Sequence, residues 1–81
     1  MNSAIVIIHL PDGKNLDAEI PLDISADQLI TALHQSLNPE GRRPESLRCG
    51  NPYAYLAGTK KLAEYGFHNG TSIFIPGSKG T

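Results

Sequence analysis

The chain is 81 residues long and carries a formal charge of −1, from seven basic and eight acidic side chains. That length supports one small domain, and the balanced charge excludes the basic footprint by which DNA, RNA or an anionic membrane surface is recognised. Apolar residues make up 40% of the chain, enough for one core and too many for a disordered segment.

Ala4-Ile5-Val6-Ile7-Ile8-His9-Leu10 is β-branched and apolar on both faces, the pattern of a central strand. Pro11-Asp12-Gly13-Lys14 is a turn, because proline presets φ and glycine accepts a positive one. Leu16-Asp17-Ala18-Glu19-Ile20 then alternates, with Leu16, Ala18 and Ile20 facing in and Asp17 and Glu19 facing water. These two runs predict a β-hairpin. Ser25 caps the helix that follows, Gln28 completes a capping box, and Ile24 and Leu29 form a hydrophobic staple. Ala26, Leu29, Ile30, Leu33 and Leu37 repeat at helical spacing for about three turns, until Asn38-Pro39 stops the helix.

Residues 39–46 form a polar loop in which Arg42-Arg43 reads as a solvated pair. Ser46-Leu47-Arg48-Cys49 predicts a third strand and Tyr53-Ala54-Tyr55-Leu56 a short fourth, with the two tyrosines packing at the core's edge. Leu62-Ala63-Glu64-Tyr65 reads as a helical turn. Leu62, Tyr65 and Phe67 point into the core, Asn69-Gly70 makes a tight turn, and the run that follows to Ile75 is a strand with Ile73 and Ile75 on its inner face. Asn69-Gly70-Thr71 is also a glycosylation sequon, read here as turn chemistry. A helix inserted after the first hairpin leaves the last strand free to lie parallel to the first. The expected fold is an α+β roll: a mixed sheet of four to five strands covered on one face by one helix. The domain is expected to span 1–81, with an ordered core over about 4–76 and a flexible tail at 77–81.

Catalytic chemistry is not visible. His9, His34, His68 and Cys49 lack metal-ligand spacing, so no metal or other cofactor is expected. Cys49 reads as a small core residue, with neighbouring Arg48 the one hint of thiolate activation. A lone cysteine, no signal segment at the start and no apolar run near ~20 residues together predict a cytoplasmic protein without membrane insertion.

The order of elements resembles the β-grasp, or ubiquitin-like, fold. Leu62, Tyr65 and Ile73, with the Asp12-Gly13-Lys14 turn and the helix capped at Ser25, are similar to ubiquitin's core pattern over about Ala4 to Ile75. The resemblance implies that the Tyr65 hydroxyl ties the backbone of a neighbouring loop. It also places Arg48 where ubiquitin has an exposed isoleucine and Phe74 where it has a histidine, so a reader of ubiquitin should bind this chain poorly. Within that superfamily the chain is similar to the small bacterial YukD/EsaB-like proteins of type VII secretion loci. The shared features are Leu47-Arg48-Cys49, Leu62, Tyr65, Asn69-Gly70 and Ile73, and the departure is the tail after Ile75. That resemblance implies an accessory or regulatory protein, not an enzyme, that acts by binding a secretion-system component or regulator. Conjugation and sulfur carriage both need a terminal Gly-Gly, whereas the sequence closes on Lys79-Gly80-Thr81. The alternative expectation is a small non-catalytic β-grasp subunit of a multicomponent enzyme such as an oxygenase.

Function is expected on the sheet face turned away from the helix. If Val6, Ile8 and Leu10 face the helix, Ile5 and Ile7 face outward with Phe74, and Arg48, Asp17 and Glu19 edge the patch. Ile5, Ile7, Arg48 and Phe74 are therefore the candidate protein-binding residues, covered either by a partner or by a second copy in a homodimer.

Overall fold

The computed structural model describes residues 2–37 and 40–76. The expected helix stop at Asn38-Pro39 and the expected tail at 77–81 lie outside the described residues. The elements are β1 (Ser3–His9), β2 (Asn15–Pro21), α1 (Ala26–Leu37), β3 (Leu47–Gly50), β4 (Ala54–Leu56), a 3₁₀ helix (Leu62–Tyr65) and β5 (Ser72–Phe74).

The five strands form one sheet in the order β2-β1-β5-β3-β4. β1 and β2 are the expected antiparallel hairpin, and β5 lies parallel to β1 and antiparallel to β3. β1, apolar on both faces, is thus a central strand. At the hairpin turn the Lys14 amide donates to Asp12 Oδ1 at 3.0 Å, the local side-chain bond that makes aspartate a turn former. At the start of α1 the capping box is reciprocal. The Gln28 amide donates to Ser25 Oγ at 3.1 Å, and the Ser25 amide donates to Gln28 Oε1 at 2.9 Å.

Ala26, Leu29 and Ile30 of α1 are buried against the inner face of the sheet, where Val6, Ile8, Ile20, Leu47, Cys49, Leu56 and Ile73 complete the core with Leu62 and Phe67. Leu33 and Leu37 are partly buried at its margin. Leu16 departs from expectation. It lies opposite Ile8 but is 42% exposed, because it sits by the hairpin turn on a strand with no neighbour beyond it. The 3₁₀ helix locks the lead-in to α1: the Leu62 amide donates to the Ile24 carbonyl and the Ala63 amide to the Leu22 carbonyl, both at 3.0 Å. Tyr65 acts as the resemblance implied. Its hydroxyl donates to the Ala57 carbonyl at 3.2 Å and accepts from the Ala57 amide at 3.3 Å.

The pair Arg42-Arg43 is not uniformly solvated. Arg43 donates from Nε to Thr31 Oγ1 at 2.9 Å, and from its terminal nitrogens to the carbonyls of Pro44 and Asp27, each at 3.1 Å. It also reaches Asp27 Oδ1 at 3.3 Å, and that carboxylate oxygen accepts from the Gly58 amide at 3.1 Å. A planar fork with several donors can bridge loop and helix in this way.

Candidate functional site: the open face of the sheet

The strand registers fix what stands on the face away from α1. One row across the sheet reads Asn15, His9, Phe74, Arg48 and Tyr55; the next reads Asp17, Ile7, Ser72 and Gly50; a third holds Glu19 and Ile5. All four candidate residues, Ile5, Ile7, Arg48 and Phe74, therefore share one face. Ile5 is 50% exposed, and Ile7 and Phe74 are half-buried. The turn at Asn69-Gly70 pins Ile5: Asn69 Oδ1 accepts from the Ile5 amide at 2.8 Å, and the Gly70 amide donates to the Ile5 carbonyl at 2.9 Å. Gly70 holds a φ of 96°, which a side chain would resist. The turn chemistry expected at Asn69 is thus used to fix one end of the patch.

Phe74 is flanked by two side chains. The His9 ring stacks on it with centroids 4.7 Å apart and planes 20° apart. The Arg48 guanidinium lies 4.8 Å from its ring centroid, within cation–π range. Gly50 lies beside the ring, where a Cβ would stand 3.4 Å from it, at ordinary contact distance. His9 is itself set by a 3.1 Å contact between Nε2 and Ser72 Oγ. An aromatic ring fixed in this way loses little further freedom on binding, which favours it as an anchor.

Two residues that were assigned to the core's edge belong to this face. Tyr53 and Tyr55 are 71% and 62% exposed, and their rings meet edge-on with centroids 6.1 Å apart. The reason is alternation: Leu56 is fully buried, so Tyr55 beside it must point outward. His9 was also missed, although it continues the Ile5, Ile7 alternation by one more step. Beside Phe74, the residues Ser46, Arg48, Tyr55 and Pro76 line a shallow hollow of about 450 Å³. Among the described residues, the one ion pair is Arg43–Asp27, so Arg48 carries an uncompensated charge on the face.

The inner side of the same strand offers no reactive group. Cys49 is fully buried and its thiol donates to the Pro52 carbonyl at 3.3 Å. Burial pushes the thiol above its ordinary range, with a backbone hydrogen bond at Ala54 pulling weakly the other way. Arg48 points to the opposite face and does not activate it. Among the described residues, no three of His, Cys, Asp or Glu gather as a metal site would require, and no helix is long and apolar enough to cross a membrane.

Solved structures superpose on this architecture. A de novo design based on ubiquitin matches at a TM-score of 0.66 with 22% identity, covering 98% of this chain and 96% of its own. The fold is the ubiquitin-like β-grasp. The ubiquitin-like domain of an Arabidopsis thaliana protein matches at a TM-score of 0.71 with 18% identity, over 98% of this chain and 81% of that one. The ubiquitin-like domain of Plasmodium falciparum Dsk2 matches at 0.65 with 19% identity, over 90% and 97%. No protein-family model and no curated protein sequence matches the chain. These likenesses carry the β-grasp assignment of the sheet and helix.

Proposed function

We propose that the chain is a non-catalytic, ubiquitin-like accessory or regulatory protein of a bacterial type VII secretion system. It acts in the cytoplasm by binding a component or regulator of that system through the open face of its sheet. The supporting observation is the preorganised Phe74, clamped between His9 and Arg48 beside Ile5 and Ile7, on the one sheet face that no helix covers. Apolar side chains grouped around a fixed aromatic and an unpaired arginine make a binding surface, because burying them under a partner removes apolar area from water. The assignment to secretion rests on the resemblance of the Leu47-Arg48-Cys49 strand and the Leu62, Tyr65, Asn69-Gly70, Ile73 pattern to the YukD/EsaB-like proteins.

The test is genetic. Deletion of the gene in its native host should reduce export of the small helical substrates of the secretion system. Wild-type chain should restore export and Phe74→Asp should not. Unchanged export after deletion would remove the secretion role.

A further inference from the structure

We propose that a second copy of this chain covers the open sheet face, in a homodimer whose two-fold axis runs along the seam between β1 and β5. The proposal rests on the reading of that face as a binding surface and names an occupant for it. The face is acidic along β2, at Asp17 and Glu19, apolar along the seam, at Ile5, Ile7 and Phe74, and cationic on β3, at Arg48. β2 and β3 are three strand spacings apart, about 14 Å, so their charges are beyond a screening length of about 8 Å and cannot satisfy each other within one molecule.

Two copies can meet face to face about 10 Å apart in two simple ways. A two-fold axis perpendicular to the strands puts β2 over β2, acid against acid. An axis along the β1–β5 seam exchanges the strands on either side of it, which sets β2 of each copy over β3 of the other. Arg48 then faces Asn15 of the partner copy, and Asp17 stands two residues along the same strand, about 7 Å away and within reach of an arginine side chain. Across the axis Phe74 faces His9 of the partner copy and Ile7 faces Ser72 of the partner copy, while the two Phe74 rings lie one strand spacing, about 5 Å, apart on either side of the axis. Such an isologous contact is self-complementary in charge, and the Arg48–Asp17 contact occurs twice by symmetry. A dimer of this kind hides the face that captures a partner, so self-association and partner binding exclude each other.

Sedimentation velocity over a wide range of protein concentration tests this. Wild type should move from monomer to dimer mass. Arg48→Glu alone, and Asp17→Lys/Glu19→Lys alone, should each weaken self-association about 10-fold or more, the effect of one close charge pair. An equimolar mixture of those two variants should recover the dimer, because each supplies the charge that the other lacks. A wild type that stays monomeric throughout, or a mixture that does not recover, overturns the proposal. A monomeric wild type that still captures a partner in a Phe74-dependent way overturns the dimer and leaves the binding surface standing. A monomeric wild type whose captured proteins ignore Phe74→Asp removes both. Circular dichroism on each variant separates lost association from lost folding.

Discussion

Ile73 and Phe74 are neighbours in one short strand and belong to different regions of the molecule. Ile73 is fully buried among Ile8, Cys49 and the helix-facing core, whereas Phe74 is half-buried on the open face with His9 and Arg48 against it. The inner face is filled by branched aliphatic residues and one thiol; the outer face mixes aromatic, cationic and acidic groups around two isoleucines. The contrast shows how one strand register supplies both the core and the proposed binding face. Period-two alternation sends successive side chains to environments that ask different things of them.

Substitutions on the two faces should differ most in their cost. Ile73→Ala should lower stability by about 2–5 kcal/mol, a large part of the ~5–15 kcal/mol expected of a small domain. Phe74→Asp, by contrast, should cost roughly 1 kcal/mol, mainly the stack and the cation–π contact. Urea midpoints measure both, and equal losses would mean that Phe74 is core. The adjacent arginines repeat the contrast on a smaller scale. Arg43→Ala should cost about 1–2 kcal/mol, since it removes several charge-assisted hydrogen bonds at a partly exposed site, while Arg42→Ala should stay within about 0.5 kcal/mol. Tyr65→Phe should cost about 0.5–1.5 kcal/mol through the two hydrogen bonds to Ala57, with binding by the open face unchanged. The smallest effect is expected at Cys49. Its folded thiol titrates above its unfolded value, so the associated stability is complete at neutral pH and declines as pH rises through the alkaline range. A thiol reagent at neutral pH should accordingly modify Cys49 only in urea; fast modification of the folded chain would place the thiol at the surface.

What was legible in the sequence was local or periodic. The capping box at Ser25 and Gln28 is written within one helical turn, and the Asp12-Gly13 turn within one hairpin. The outward direction of Ile5, Ile7 and Phe74 follows from alternation once the inner residues are known. The parallel pairing of β5 with β1 followed from the inserted helix. The misreadings at Tyr55 and Arg43 share one cause, which is dependence on neighbours distant in sequence. Tyr55 lies in a strand of three residues, too short for its own alternation to decide a face, and only the burial of Leu56 against the far side of the fold decides it. Arg43 finds Thr31 and Asp27 on the helix, a partnership that the loop sequence does not announce. His9 and Arg48 flank Phe74 because β5 lies between β1 and β3, an order that exists only in the assembled sheet.

The central claim is that the open sheet face is a protein-binding surface distinct from the core. Its most direct test is a pulldown from native-host lysate with wild type and Phe74→Asp side by side, each shown by its urea midpoint to be folded. Wild type should retain a defined partner, and Phe74→Asp should lose it while remaining folded. Retention of the same partner by folded Phe74→Asp would contradict it.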